Sequence, residues 1–127
     1  MKQYNRVCAR INLDAIAYNM EQMKNRIGQE GRLIAVIKTD AYGHGAVPLA
    51  EMFEETPYIW GYAVACMGEA RTLRAHGIKK PILILGCVFP DEYEEMVEKE
   101  MQQFIQKRWP REWLMLPQGQ ERPHFFT

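Results

Sequence analysis

The chain has 127 residues, of which 47% are hydrophobic and 25% charged, values typical of a globular domain with a buried core. Its sixteen basic side chains balance sixteen acidic ones, so charge gives no reason to expect a nucleic acid or an anionic membrane as partner. The apolar runs are much shorter than the roughly 20 residues that a membrane-spanning helix needs.

Helical and strand patterns alternate along the first hundred residues. The first helix is predicted after Asn12, a capping residue, because apolar side chains then recur at helical spacing as far as Ile27, before Gly28. Buried strands are predicted at LIAVIK, IWGYAVA and PILILG. Each strand is followed by a helical pattern, namely VPLAEMFEE, GEARTLRAHG and PDEYEEMVEKE.

Short apolar strands that alternate with helices predict an α/β fold with a parallel sheet and right-handed crossovers. Three strand–helix units are compatible with a doubly wound sheet or with part of a (β/α)8 barrel. Because a complete barrel needs about 250 residues, we expect at most a partial one here.

Residues 101–127 differ in composition from the rest of the chain. They hold five of its eight glutamines, three of its seven prolines and two of its three tryptophans. No fourth strand–helix unit is predicted there, and the prolines would interrupt any long helix. We therefore expect a boundary after residue 100, with a tail of different origin that a frameshift or a truncation would explain.

One strand pattern runs directly into a lysine and a loop, in the stretch LIAVIKTDAYGHG. Ligand sites of α/β sheets lie at the carboxyl ends of strands, where Lys38 is predicted. A lysine amine at the edge of an apolar surface loses part of its hydration, which favours the neutral form. The neutral amine is the nucleophile in Schiff-base chemistry. Tyr42 offers a phenol, and the two loop glycines let the backbone approach a ligand closely. His44 has no partner at metal-ligand spacing, so we predict a structural hydrogen bond for it and no metal site.

The string AVIKTDAYGHG closely resembles the pyridoxal-phosphate attachment motif of the alanine racemases. The resemblance extends to both sides. INLDAIAYN is similar to the segment that leads into the first helix of that family, WGYAVACMGEARTLRAHGI to its second strand and helix, and KPILILG to its third strand. The resemblance covers roughly residues 6–100, and its segments follow one another in the order and spacing of the family.

Position by position, the resemblance implies roles for four residues. Lys38 would hold pyridoxal 5'-phosphate as a Schiff base and act as acid and base on one face of the substrate α-carbon. Tyr42 corresponds to the tyrosine that contacts the cofactor phosphate. Val36 and Leu85 correspond to apolar residues that line the pocket around the pyridine ring.

The resemblance also implies what surrounds this part of the fold. The family has a (β/α)8 barrel followed by a β-rich domain, forms homodimers, and interconverts L- and D-alanine, which supplies D-alanine for peptidoglycan. A second base, a tyrosine from the C-terminal domain of the partner, and the arginine at the pyridine nitrogen lie outside the residues that match. We therefore expect this chain alone to be inactive, and a homodimer only of the full-length enzymes.

Three other functions remain open from the sequence. The chain could be a non-catalytic protein that binds pyridoxal phosphate, or part of a serine-preferring racemase of the same family, since selectivity depends on residues outside the match. It could also be an interaction fragment that docks through the aromatic residues of its tail.

Three cysteines bear on the compartment. Cys8, Cys66 and Cys87 are widely spaced and contain no CxxC pair, which predicts buried free thiols in a reducing compartment. The N-terminal residues MKQYNRVCARIN lack the apolar core of a signal peptide. Both observations predict a cytoplasmic protein.

Overall fold

Helices and parallel strands alternate in the computed structural model, which describes residues 7–103 and 124–126. The strands are β1 (Leu33–Val36), β2 (Ile59–Val64), β3 (Ile82–Ile84), β4 (Met101–Gln103) and β5 (His124–Phe126). The helices are α1 (Leu13–Ile27), α2 (Lys38–Gly43), α3 (Ala46–Phe53), α4 (Met67–Ala75) and α5 (Tyr93–Glu98).

The first helix has the ends that its sequence predicts. The Asn12 side chain accepts a hydrogen bond from the Ala15 backbone N–H at 3.0 Å, which caps α1. The helix ends before Gly28, whose φ of 82° takes the chain out of the helical path. Lys24 lies in the last turn, and its Nζ donates to the Gly28 carbonyl at 2.8 Å and the Gly31 carbonyl at 2.7 Å. A cation there complements the negative end of the helix dipole.

The strands form one parallel sheet in the order β4-β3-β2-β1-β5. Leu33 of β1 pairs with Ile59 of β2, and Tyr62 of β2 pairs with Ile82 of β3. The sheet is not closed, because β4 and β5 form its two edges. The predicted α/β architecture with a parallel sheet is thus confirmed.

The main core lies between the sheet and the helices. Residues of β1, β2 and β3 that point to this side pack with buried residues of α1, α3 and α4. Tyr62 is fully buried there, and its hydroxyl donates to the Ala50 carbonyl at 2.8 Å, which satisfies the phenol. The opposite face of the sheet carries a smaller apolar cluster around Ile34, Ala63 and Leu83.

A glycine allows two strands to approach each other closely. A Cβ at Gly61 in β2 would overlap the backbone carbonyl oxygen of Pro81, just before β3. That carbonyl accepts the Tyr62 N–H at 2.9 Å, so the two backbones are held in contact at this point. Any side chain at position 61 would push the strands apart.

A further strand follows the third unit, although the sequence predicted no fourth strand–helix unit there. β4 begins at Met101, the first residue of the segment that composition set apart, and pairs in parallel with β3 from Ile82 to Ile84. The Met101 side chain is buried in the main core, which gives this polar segment one apolar anchor. β5 pairs with β1 from Leu33 to Ala35. Residues 104–123, which hold most of the predicted tail, lie outside the described part of the chain.

Arg74 of α4 holds the chain in place before β4. Its guanidinium donates to four backbone carbonyls: those of Ile78 at 2.7 Å, Lys80 at 2.8 Å, Lys99 at 2.9 Å and Glu100 at 3.1 Å. Two of these precede β3 and two directly precede β4, so one side chain connects the starts of both strands. The planar fork of arginine suits such multiple contacts.

The predicted fourth helix is split into two pieces. Residues Pro90–Glu92 form a 3-10 turn, and α5 follows it. Charged groups attach α5 to α4: Arg71 lies 2.9 Å from the Glu92 carboxylate and 2.8 Å from that of Glu95, which also accepts from Lys99 at 2.7 Å. Hydrogen bonds from Arg71, and then from Lys99, hold the pKa of Glu95 at about 2.

The prediction of buried thiols was wrong. Cys8, Cys66 and Cys87 are free and all three are exposed. Cys66 comes two residues after the end of β2 and Cys87 three residues after that of β3, where the chain emerges at the surface of the sheet. Within the described residues no helix is long and apolar enough to cross a membrane.

Candidate functional site

Lys38 lies just beyond the end of β1 rather than inside the strand. β1 ends at Val36, although the Ile37 N–H still donates to the Ala63 carbonyl of β2 at 2.9 Å. Lys38 is the first residue of α2 and is partly buried. The predicted strand LIAVIK is therefore two residues too long, but the lysine is at the carboxyl end of the sheet as expected.

The segment after Lys38 is a left-handed helical turn and not the irregular loop that the sequence suggested. Residues 39–42 have φ between 52° and 55° and ψ between 35° and 48°. None of these residues is a glycine, and left-handed backbone costs an L-residue about 1–2 kcal/mol. Four in succession therefore need compensation from the surrounding structure.

Hydrogen bonds and one core contact stabilise this turn. The Ala41 N–H donates to the Ile37 carbonyl at 2.9 Å, and the Gly45 N–H donates to the Asp40 carbonyl at 2.9 Å. The Asp40 carboxylate also accepts the N–H of Ala46, the first residue of α3, at 2.7 Å. The Ala41 side chain is buried in the main core. The turn is thus fixed to β1 on one side and α3 on the other.

The loop glycines and His44 shape the backbone. Gly43 and Gly45 have φ of 85° and 91°, values that favour glycine. The ring Nδ1 of His44 is 3.0 Å from the Ala41 carbonyl, to which it can donate. This contact confirms the structural hydrogen bond predicted for His44.

The turn brings Tyr42 back beside Lys38. The Lys38 Nζ lies 5.9 Å from the centroid of the Tyr42 ring, within the range of a cation–π contact. The tyrosine is 52% exposed, so its hydroxyl is accessible to a ligand from solvent. A nucleophilic amine and a phenolic donor are therefore adjacent at this end of the sheet.

Val36 and Leu85 share the face of the sheet that the helices do not cover. Both pack, with Trp60, against the apolar cluster of Ile34, Ala63 and Leu83. Val36 is the last residue of β1 and Leu85 directly follows β3, with β2 between the two strands, so they are roughly 10 Å apart by ordinary strand spacing. They form an apolar wall on this face, next to the strand end that carries Lys38.

Glu69 contacts the same region, although the sequence analysis did not single it out. Its Oε1 accepts the Thr39 N–H at 2.7 Å, and its Oε2 accepts the Ala65 N–H at 2.7 Å. A glutamate three residues after the helix cap Cys66 occupies the capping-box position, which was a usable local signal. The contact with Thr39, 30 residues away, has no local signal.

The site is an open corner rather than an enclosed pocket. Two grooves, with volumes of about 530 and 200 Å³, lie against α1 and α3. The smaller one also touches Val36, Ala41 and His44, but neither groove includes Lys38 or Tyr42. Among the described residues, no group of three or more His, Cys, Asp or Glu side chains could hold a metal ion.

Comparisons with known proteins place this chain in a family. The family described as "Alanine racemase, N-terminal domain" matches residues 11–123. An alanine racemase of Desulforamulus reducens is 40% identical over 92 residues, which are 72% of this chain and 25% of that protein.

Solved structures agree. The alanine racemase of Clostridium difficile 630 has a TM-score of 0.70 at 36% identity, over 73% of this chain and 25% of that one. A Bacillus anthracis alanine racemase with bound L-Ala-P has a TM-score of 0.70 at 34% identity, over 91% of this chain and 30% of that one. The open sheet thus corresponds to the N-terminal part of the barrel in these structures, as predicted. The chain spans about a quarter of the length of the curated relatives it matches, and it belongs to the alanine racemase family.

Proposed function

We propose that this chain is the N-terminal part of a pyridoxal-phosphate-dependent alanine racemase and carries the lysine that holds the cofactor. One observation supports this most: Lys38, a partly buried residue, follows the carboxyl end of β1, and its amine lies 5.9 Å from the centroid of the exposed Tyr42 ring. The family membership supports alanine as substrate, and a C. difficile relative has been solved in complex with cycloserine.

The donor set fits one side of pyridoxal phosphate. An amine matches its aldehyde, a phenol matches its phosphate, and an apolar wall matches the face of its ring. When bound, the cofactor supplies an electron sink that stabilises negative charge at the substrate α-carbon.

The four predicted residues have three tasks in this proposal. Lys38 Nζ would hold the cofactor at its aldehyde carbon and would carry a proton to or from one face of the substrate α-carbon. Tyr42 would donate its hydroxyl hydrogen to a phosphate oxygen. Val36 and Leu85 would exclude water from the ring.

The chain by itself is proposed to be catalytically incomplete. Racemisation needs a second acid and base on the opposite face of the α-carbon. The matched part of this chain corresponds to about a quarter of the length of its relatives. The full-length enzyme would act as a cytoplasmic homodimer that supplies D-alanine for peptidoglycan. We expect this chain to bind the cofactor without enzyme-like turnover.

The test is covalent cofactor binding by the purified 127-residue chain. Pyridoxal phosphate should give a Schiff-base absorbance, and borohydride reduction followed by mass spectrometry should locate the label at Lys38. Lys38→Ala should abolish both signals. Lys79→Ala, at an exposed lysine before β3, is the matched control and should leave them unchanged. Equal labelling of Lys38→Ala and the original chain would refute the proposal.

A second assay separates carriage from catalysis. Exchange of the alanine α-proton in deuterated water should be no faster with this chain than with free pyridoxal phosphate. Enzyme-like exchange would contradict the view that the chain is incomplete. A non-catalytic cofactor-binding protein would also show labelling of Lys38 without exchange. The same exchange assay on the full-length protein distinguishes that alternative.

The division of the chain at residue 101 is a further proposal. The shift in composition supports a different origin for residues 101–127, although β4 begins inside this segment and the family match reaches residue 123. Sequencing the encoding DNA tests it. If no other reading frame past codon 100 continues the family sequence, the frameshift explanation fails.

A further inference from the structure

One carboxylate connects the segments that follow β1 and β2 at the end of the sheet where Lys38 lies. Glu69 of α4 accepts the N–H of Thr39, the residue directly after Lys38, through Oε1. It accepts the N–H of Ala65, the residue directly after β2, through Oε2. Both N···O distances are 2.7 Å, as expected for strong bonds to an ionised acceptor.

The second of these bonds is a local contact at the start of α4. A glutamate at the third helical position can reach back to the backbone that precedes the helix, and here it reaches Ala65, one residue before the cap Cys66. The bond to Thr39 is not part of that motif, because Thr39 belongs to a different strand–helix unit, 30 residues earlier in the chain. A local contact at the start of α4 therefore occupies one of the two carboxylate oxygens, and the other is bonded to the turn.

The turn needs such an external contact. Residues 39–42 have left-handed backbone without a glycine, so their residue types do not favour this path, and none of the local hydrogen bonds of the turn engages the Thr39 N–H. Its first residue, Thr39, has an exposed side chain that contributes no core contact. The bond from Glu69 fixes the Thr39 peptide, and that peptide unit is joined directly to the Lys38 Cα. The direction in which the lysine side chain leaves the sheet depends on it.

We propose that Glu69 is a positioning residue for Lys38. Its carboxylate fixes the Thr39 peptide relative to the end of β2, and thereby fixes the direction in which the Lys38 side chain leaves the sheet, beside the Tyr42 ring. The significance of that direction rests on the proposed function of Lys38, whereas the coupling of the Thr39 and Ala65 amides does not depend on any cofactor.

Another glutamate of the chain provides a matched control. Glu54 also accepts two backbone N–H groups, those of Lys79 at 2.7 Å and Lys80 at 3.0 Å, through one carboxylate oxygen. Those residues precede β3, so they lie at the amino ends of the strands, opposite to Lys38. Glu54→Gln thus makes the same chemical change at a comparable backbone contact away from the lysine.

The first experiment measures amide hydrogen exchange by NMR on the full 127-residue chain. Glu69→Gln keeps one acceptor oxygen and Glu69→Ala keeps none, so protection of the Thr39 amide should fall about tenfold or more and further in the alanine variant. Glu54→Gln should leave the protection of the Thr39 amide unchanged, once any change in global stability is taken into account. Unchanged Thr39 protection in Glu69→Ala would overturn the proposal.

The second experiment measures the amine itself. Borohydride trapping of pyridoxal phosphate at Lys38 should be at least tenfold slower in Glu69→Gln, and unaffected in Glu54→Gln. Trapping at the original rate in Glu69→Gln would overturn the positioning role.

If the original chain traps no pyridoxal phosphate, the proposed function fails, and the positioning role is tested by acetic anhydride labelling instead. The ratio of the acetylation rate of Lys38 to that of Lys79, the internal reference, should change at least threefold in Glu69→Gln. An unchanged ratio would overturn the positioning role.

The original chain provides a test that needs no variant, in case Glu69→Gln does not fold. Because one carboxylate holds both groups, the Thr39 and Ala65 amides should open together, with protection factors that agree within about threefold. A Thr39 amide that exchanges more than tenfold faster than the Ala65 amide would overturn the proposal.

Discussion

Replacing Thr39 by glycine should stabilise the protein, because it relieves left-handed strain next to Lys38. Thr39 has φ of 54° and an exposed side chain, so the substitution removes no core contact. The N–H that Glu69 accepts is retained. Relief of about 1–2 kcal/mol, less about 0.4–1 kcal/mol for the greater freedom of glycine in the unfolded chain, leaves a net gain of roughly 0.5–1 kcal/mol.

Urea unfolding followed by circular dichroism measures this gain. At a typical m-value of about 1.5 kcal/mol/M, the midpoint should rise by roughly 0.3–0.7 M. Thr72→Gly is the matched control, since Thr72 is exposed in α4, where glycine should cost about 0.5–1 kcal/mol. The two variants should therefore shift the midpoint in opposite directions. A decrease in Thr39→Gly equal to that in Thr72→Gly would refute the left-handed turn.

Three further predictions concern the frame around the site. Gly61→Ala should destabilise the protein by about 1–3 kcal/mol in urea unfolding, because the new methyl group overlaps the Pro81 carbonyl oxygen; a neutral effect would contradict that contact. Arg74→Met should lower the free energy of unfolding by about 2–4 kcal/mol, since four carbonyls lose their charged donor. It should also make the backbone amides of β4 exchange rapidly with solvent; retained protection of these amides would argue against the role of Arg74 in holding β4. Glu95 has a pKa lowered to about 2 by Arg71, so its stabilising effect should be present above about pH 4.5 and lost as the pH falls toward 2, and Glu95→Gln should flatten that part of the pH–stability profile.

The order of helices and strands could be predicted from periodicity, and the reason is visible in the core. β1, β2 and β3 are short apolar runs buried on both faces, and α1, α3 and α4 each bury one side. Such patterns follow from burial itself. β4 was missed because its sequence, MQQ, carries a single apolar residue, and its place depends on backbone pairing with β3 and on the guanidinium of Arg74.

At the site, the sequence predicted the residues but not the backbone that presents them. Lys38 and Tyr42 were identified through a motif, and the structure brings them together. The left-handed turn between them was not predicted, because Thr, Asp, Ala and Tyr have no strong preference for that conformation. The hydrogen bond from the Thr39 N–H to Glu69 was not predicted either, because it joins residues 30 positions apart in the chain. The burial of cysteines was misjudged because it was inferred from residue type, whereas Cys66 and Cys87 lie on exposed connections beyond strand ends.

The strand order has a consequence for how the chain folds. Pairing β1 with β2, β2 with β3, and β3 with β4 each closes a loop of only about 20–26 residues, so the sheet can grow one strand at a time as the polypeptide is synthesised. Pairing β1 with β5 closes a loop of about 90 residues, which costs about 1 kcal/mol more in chain entropy than the β1–β2 loop. The β5 edge is therefore expected to join last during folding and to open first in the native state.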